Sequence, residues 1–427
     1  MRELKGRIGH WSLAFALLAT ALAGCKQPDA NGGGTSGTTP TAGGTTGANG
    51  GATSSGGAAA GGAAANVSLA PPYQGADIVL GEYASLTGDT ATFGTSTHNA
   101  ITMALDEINA KGGVLGKKVK VVVVDDASQT AQAATAVLRL INQNKVLAIL
   151  GEVASSRSLA AAPICQKAGV PMISPSSTNP KVTKVGDYIF RTCFTDTFQG
   201  AVDANFAFNE LKARKVAVLT DNASDYSKGL SEAFTTQFKK LGGTITTNSF
   251  YGKDEKDFRA QLTSIKAGSP DVIFVPGYYT EVGNIAVQAR SLGIKQPMLG
   301  GDGWDSPKLT EIGKKYIEGS YFSNHYSPDS PDPRVKKFVA DFKKRFGGTP
   351  DALAAVGYDA AYVMVDAIKR AGSTDRAKIR DAIASTKKFP GVTGTITIDA
   401  ERNSLKSITI LQIKNGKFAP VKVIAPQ

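Results

Sequence analysis

Hydroxyl-bearing turns are the first residues of this chain with chemistry to offer. In 172–180, MISPSSTNP, Ser176, Ser177 and Thr178 follow a short apolar run that ends at Ser174. Asn179 and Pro180 then read as a helix N-cap and a first helical residue. Earlier, the apolar run 146–150 leads through Gly151 to Ser155 and Ser156 and into a helical stretch, 159–167. Each stretch reads as a strand end, a polar turn and a helix start. Two such turns suit an anionic group, because free backbone N–H groups and the helix dipole favour negative charge there. Ordinary capping would account for the same hydroxyls.

Asp302 is a second candidate, in Gly300-Gly301-Asp302-Gly303-Trp304. The glycines permit close backbone approach. The carboxylate could pair with a ligand ammonium or bond its own turn backbone. Tyr226, Tyr278 and Tyr279 fall where predicted elements end, as pocket walls or as half-buried packing.

Catalytic patterns are missing. His10 belongs to a leader, which leaves His98 and His325, on a helix start and in a strand-like run, both read as structural. There is no Gly-x-Ser-x-Gly elbow. Neither a phosphate loop nor a dinucleotide fingerprint occurs. No Cys/His set has zinc spacing. The reading is a non-enzyme with no cofactor and no metal.

Export explains the start of the chain. Arg2, Lys5 and Arg7 form a basic head before an apolar core, 11–23, too short for a comfortable membrane span. Leu22-Ala23-Gly24-Cys25 resembles the lipobox of bacterial lipoproteins, so 1–24 reads as a signal peptide and Cys25 as the lipidated residue. Residues 30–65 are almost entirely Gly, Ala, Ser, Thr and Asn, a composition that cannot bury enough apolar surface to order itself. We read 25–70 as a tether, with an end-to-end distance of roughly 35–40 Å. The net charge is +12, and +10 without the leader. Its positive residues are scattered, with no nucleic-acid motif, so no nucleic-acid partner is expected. Two further cysteines, Cys165 and Cys193, flank the 172–180 stretch. In an exported protein they could bridge or remain two buried thiols; we expect a bridge.

The remaining body is too long for one ordinary core and suggests two lobes. Strand signals at 76–83, 118–125, 146–150 and 171–174 alternate with helical spacing through Ile101, Leu105 and Ile108 and through 130–144. After Thr195 the alternation restarts, with strands at 215–221, 244–251, 271–277 and 296–300 and helices at 230–241, 256–267 and 281–292. Near-continuous apolar strands between helices argue for parallel sheets covered on both faces, hence an α/β fold. Residues 333–380 read as helical, and 394–423 as β with a hairpin turn at Asn415-Gly416. Ligands of open α/β sheets sit beyond the carboxyl ends of strands. Those ends hold 86–94 with Phe93, 152–156, 175–178, 221–226, 278–281 and 301–304.

Several motifs, in order, resemble the substrate-binding proteins of branched-chain (Leu/Ile/Val-type) amino-acid ABC transporters. They are DEINAKGG at 106–113, Asp125-Asp126-Ala127, MISPSSTNP at 172–180, Phe190-Arg191-Thr192, Tyr226 with Gly229, Lys256-Asp257-Phe258, Gly277-Tyr278-Tyr279 and Gln288-Ala289-Arg290. The resemblance implies a type I periplasmic binding fold. Two Rossmann-like lobes are joined by three crossover strands, near 195, 324–328 and 405–411. The N-terminal lobe would comprise 71–195 and 326–407, the C-terminal lobe 196–325 and 408–427. It also implies that Ser155, Ser176 and Thr178 hold a ligand carboxylate, and that Asp302, helped by Tyr278, holds its ammonium. Phe93 would cover the side chain, and Tyr226 would be another wall of the cleft. Asp302 is shorter than the family's glutamate, and Leu353 stands where an aromatic is usual. The implied partners are an amino acid, an ABC permease and, through Cys25, a lipid bilayer. The protein would be a monomer in the periplasm or at the cell surface. A sensor of the same fold, reporting to a membrane signalling partner, is the alternative.

Overall fold

The computed structural model describes residues 67–426. The signal peptide, Cys25 and most of the expected tether lie outside the described residues. The last residues assigned to the tether, 67–70, already lie on the body: the Ala70 N–H donates to Ala168 O at 2.9 Å, and Val67 and Ala70 pack against a core cluster.

The first sheet contains β1 (Ile78–Ala84), β2 (Val119–Asp125), β3 (Ala148–Leu150), β4 (Met172–Ser174) and β5 (Ile189–Arg191). Its order is β2-β1-β3-β4-β5, and every pairing is parallel. Side chains alternate across a strand, so neighbouring residues serve opposite cores. Ile78, Leu80, Ala148, Leu150, Ile173 and Phe190 face one apolar cluster. Tyr83, Ile149, Met172 and Ile189 face the other. The first cluster is closed by α1 (Ala91–Ala110), and the second by α2 (Thr130–Asn142) and α3 (Ser155–Ala168). The single turn α4 (Lys181–Lys184) follows β4. Two-sided burial is what made these strands read as apolar runs; each buried Val, Leu or Ile side chain contributes about 1.5–3 kcal/mol.

The chain then enters a second sheet. Its helices are α5 (Asp196–Asn205, extended by a π-helical turn to Glu210), α6 (Asp225–Lys240), α7 (Arg259–Ala267), α8 (Tyr279–Ser291) and α9 (Pro307–Gly313). Its strands are β6 (Lys215–Asp221), β7 (Thr244–Tyr251), β8 (Val272–Phe274), β9 (Met298–Gly300) and β10 (Tyr321–Asn324). Helix α6 begins before the expected 230, because the Ser224 hydroxyl accepts from Ser227 N–H and starts the first turn there. The long α10 (Pro333–Phe346), α11 (Ala352–Ala371) and α12 (Arg376–Ala384) follow. Apolar residues of α11 and α12 share the cluster of Ile78 and Leu80, so both helices pack on the first lobe. At Gly357 of α11 a Cβ would come within 2.8 Å of Thr97 Cγ2, so the glycine lets α11 lie directly on α1.

A small sheet of β11 (Phe389–Gly391), β12 (Gly394–Ile398) and β13 (Ser404–Leu405) comes next. The hairpin β14 (Ile408–Lys414) and β15 (Lys417–Ile424) then returns to the second sheet, whose order is β15-β14-β10-β9-β8-β6-β7. Asn415 and Gly416 turn it with positive φ, 53° and 68°, the geometry expected of Asn-Gly. Order reverses between β1 and β3 in one sheet and between β6 and β8 in the other, and such switch points open a crevice at the strand ends.

Candidate functional site

The ends of β1, β3, β4, β6, β8 and β9 lead into the expected residues, and the two lobes face each other across them. Phe93, Ser176, Tyr226, Tyr278 and Asp302 line one cavity together with Val153, Gly303 and Leu353. The space is about 10 Å³, room for about one water molecule. An amino-acid-sized guest therefore requires the lobes to part or the walls to shift. Phe93 meets Tyr278 edge-on at 5.7 Å, and Tyr226 stacks on Tyr278 at 5.4 Å. The aromatic residues are thus walls. Tyr279 stands apart from that lining and packs edge-on against Phe93 at 5.0 Å.

Ser155 and Thr178 are buried but are not in this cavity wall. The Ser155 hydroxyl accepts from the Asn179 N–H at 3.2 Å, tying the first hydroxyl turn to the second. Thr178 O accepts from Asp196 N–H at 2.9 Å. Ser177 is structural: its hydroxyl lies 2.9 Å from Glu152 O and 2.7 Å from Ser158 Oγ. Within the cavity wall, Ser176 reaches the opposite lobe, donating to Asp302 Oδ2 at 3.5 Å.

The helix-terminus expectation needs two corrections. Asn179 Oδ1 accepts from Lys181 N–H at 3.0 Å, as a cap does, but α4 is one turn long. So short a helix sums few peptide dipoles. At α3 the protein supplies its own anion. Glu152 Oε2 accepts from Ala154 N–H at 2.6 Å and from Arg157 Nε at 2.8 Å. Arg157 also donates to Thr90 Oγ1 at 2.8 Å. Asp126 lies behind this pair, and burial, with the charge of Glu152, pushes its carboxyl up to about 7.

Asp302 follows β9, on a short 3₁₀ turn with Trp304. A Cβ at Gly300 would strike the Trp304 ring at 2.1 Å, so the glycine makes room for a buried indole whose Nε1 donates to Val275 O at 2.9 Å. Gly301 similarly makes room for Tyr226 and Gln199. The Asp302 side chain bonds beyond its own turn. Its Oδ1 accepts from Gln199 Nε2 at 3.0 Å, and its Oδ2 lies 3.1 Å from His325 Nε2. Gln199 Nε2 also reaches Ser323 Oγ, which donates to Asp203 Oδ2 at 3.0 Å. His325 is wholly buried and stacked on Phe194 at 4.1 Å. Burial holds its pKa below the ordinary imidazole value, against the pull of Asp302. The neutral ring is then a donor to the carboxylate rather than a counter-charge. Burial also pushes Asp203 well up and Asp196 up to about 8, and the charge of Asp302 adds to both.

The arrangement thus presents one carboxylate, held by neutral donors, to a small apolar cavity. That chemistry favours a cation with apolar substituents. Nothing local links Gln199 to Asp302, 103 positions away, and His325, 23 positions beyond Asp302, reads as structural from its strand-like run. Glu152 falls within the strand end at 152–156 that the sequence singles out, but nothing local assigns it a role.

The expected disulfide is absent: Cys165 and Cys193 are both free, buried thiols. Cys165 sits on α3 in the core cluster outside β3 and β4, whereas Cys193 Sγ contacts Ser177 O at 3.5 Å. The two thiols serve different surroundings. Among the described residues no group of acidic, His or Cys side chains could hold a metal ion, and no helix is long and apolar enough to cross a membrane.

A model of the periplasmic binding protein family matches residues 77–417. The amino acid binding protein of Pseudomonas aeruginosa is 34% identical over 316 residues, which cover 73% of this chain and 83% of that protein. Among solved structures, the leucine binding protein LivK of Thermotoga maritima superposes with a TM-score of 0.79 at 43% identity, covering 82% of this chain and 99% of that one. The branched-chain amino acid transporter substrate binding protein LivJ of Streptococcus pneumoniae, in complex with isoleucine, gives 0.78 at 37% identity, covering 82% and 100%. With a mixed α/β body of two lobes and parallel sheets, this chain belongs to the periplasmic binding protein family.

Proposed function

We propose that the protein is the extracytoplasmic substrate-binding lipoprotein of an ABC importer. It captures an amino acid between its lobes and delivers it to a membrane permease, and it is a binder rather than an enzyme. The amino acid is branched-chain or similar, in keeping with the leucine- and isoleucine-binding proteins that the chain resembles. Cys25 carries the lipid anchor after a signal peptide at 1–24, the tether runs from Cys25 to the body, which residues 67–70 already join, and the body works as a monomer. The lobe limits are 71–195 with 326–407, and 196–325 with 408–427.

The carboxylate end of the ligand meets Ser176, with Ser155 and Thr178 behind it on the same lobe. The ammonium meets Asp302 beside Tyr278 on the other lobe, and Phe93, Tyr226 and Leu353 cover the side chain. The observation that carries this reading is the hydrogen bond from Ser176 to Asp302 across the cleft. It sets the two groups meant for opposite ends of a zwitterion against each other in the closed arrangement. Closure is favoured when a ligand contacts both lobes, because only the closed state makes all the contacts. Other contacts span the lobes: Asp225 N–H donates to Ser156 Oγ at 2.9 Å, and Asn179 Nδ2 donates to Asp225 O at 2.7 Å.

The test is a calorimetric titration of the purified protein with L-leucine, L-isoleucine and L-valine. Saturable one-to-one binding of at least one is expected, with a rise in melting temperature as ligand selects the folded state. Failure of all three, with binding of an unrelated metabolite, would overturn it.

A further inference from the structure

Behind Asp302 stands a row of buried polar side chains that are not part of the cavity wall. Gln199 and Asp203 lie one turn apart on α5, and Ser323 lies on β10. All three are wholly buried. Strand β10 pairs in parallel with β9, Phe322 beside Gly300, which brings Ser323 next to the turn that carries Asp302. Gln199 Nε2 lies 3.0 Å from Asp302 Oδ1 and 2.9 Å from Ser323 Oγ. Ser323 Oγ lies 3.0 Å from Asp203 Oδ2. A Cβ at Gly301 would come within 2.8 Å of Gln199 Nε2, so the glycine keeps the place of the amide open.

The direction of these bonds is set from the far end. An amide has nearly the same shape either way round, and its partners decide which end faces them. A serine hydroxyl can donate or accept. Asp203 Oδ2 takes the Ser323 proton, which leaves Ser323 to accept. Gln199 then faces two acceptors, Asp302 and Ser323, and directs both amide hydrogens at them. Its own oxygen is left without a partner, and so is Asp203 Oδ1. Burial pushes the Asp203 carboxyl well above its ordinary range; Oδ1 can carry that proton while Oδ2 still accepts. Orphaned buried oxygens weaken a fold, and apolar groups of the same shape would avoid the loss. Stability therefore does not account for the row, whereas a donor held against Asp302 does.

We infer that Ser323 and Asp203 are positioning residues for ligand capture: they hold the Gln199 amide with its N–H on Asp302 and thereby fix the carboxylate that meets the ligand's ammonium. The inference rests on the ammonium role proposed for Asp302 and adds two residues behind it that touch no ligand. Once the row is broken, the amide loses one of its two acceptors and Asp302 loses a fixed donor. A ligand without an amine makes no demand on that carboxylate.

The experiment is calorimetry on the purified full-length protein in detergent, with L-leucine and 4-methylpentanoate as probes, and a melt of each unliganded variant. Ser323→Ala and Asp203→Leu should each weaken leucine about five- to tenfold, as for the loss of one neutral hydrogen bond, and leave 4-methylpentanoate within about twofold. Asp203→Asn keeps an oxygen that can accept from Ser323 and should hold leucine within about twofold of the unaltered protein. The melting temperature of Asp203→Leu should hold or rise, since a buried acid is removed. Ser323→Ala deletes only a hydroxyl and carries the test even where Asp203→Leu does not fold. Equal weakening of both ligands, or leucine affinity unmoved by Ser323→Ala, would overturn the positioning role and leave the ammonium reading standing. An unaltered protein that binds neither probe would overturn both.

Discussion

Asp302→Asn separates the ammonium role from every structural role of this side chain. The amide has nearly the shape of the carboxylate, and its oxygen can still accept from Gln199 Nε2, which bonds Asp302 Oδ1 at 3.0 Å. His325 can present its other tautomer to the new NH₂ group, which leaves no hole but moves the ring proton to the unpartnered Nδ1. What disappears is one negative charge in a residue only 4% exposed. Losing one partner of a buried, hydrogen-bonded charge pair costs about 2–5 kcal/mol in binding. Because the amide retains neutral hydrogen bonding, we take about 3 kcal/mol, a loss of roughly 100-fold. Fold stability should not suffer, since Asp302 is among the charges that push Asp196 and Asp203 upward. The assay is calorimetry with L-leucine and with 4-methylpentanoate, the same skeleton without the amine, plus a melt of the unliganded protein. Leucine should weaken by about two orders of magnitude, while 4-methylpentanoate holds steady or tightens and the melting temperature is kept. Equal loss for both ligands would refute the ammonium assignment.

Ser156→Ala removes the acceptor of Asp225 N–H across the cleft; calorimetry should show ligand affinity down about fivefold, worth about 1 kcal/mol, with no change in the melt of the free protein. The Asp196 carboxyl is pushed by burial from 3.8 up to about 8. Between those values the unfolded chain gives up a proton that the fold retains, so stability falls as pH rises through that window. Asp196→Asn should flatten the fall and stabilise the protein more at pH 8 than at pH 5, by on the order of a few kcal/mol, read as a larger rise in melting temperature at pH 8; an equal rise at both would refute the buried-acid account. Burial pushes the Cys193 thiol up to about 12 and the Cys165 thiol further still. Both should resist a thiol reagent until the protein is unfolded, and reductant should leave the melting curve unchanged; a reductant-sensitive melt would show a bridge.

Much of the architecture was legible because burial leaves a mark on each strand and helix separately. Strands covered on both faces must be apolar throughout, as 148–150 and 272–274 are, and Asn415-Gly416 turns its hairpin through local backbone geometry alone. The candidate residues at the strand ends were legible for the same reason, since the sheet's polarity decides which turns face a cleft. Three-dimensional packing decided what those side chains touch. Ser155 turned to Asn179, and Glu152 took the N-terminus of α3. Asp302 acquired Gln199 and His325, and Cys165 and Cys193 were left apart. A hydroxyl or carboxylate bonds the partner that folding brings nearest, and that distance is set by helices and strands scores of residues away. Local residue patterns suffice for the two α/β lobes and the turns that edge their cleft; which of those groups remain available to a guest depends on packing between elements distant in the chain.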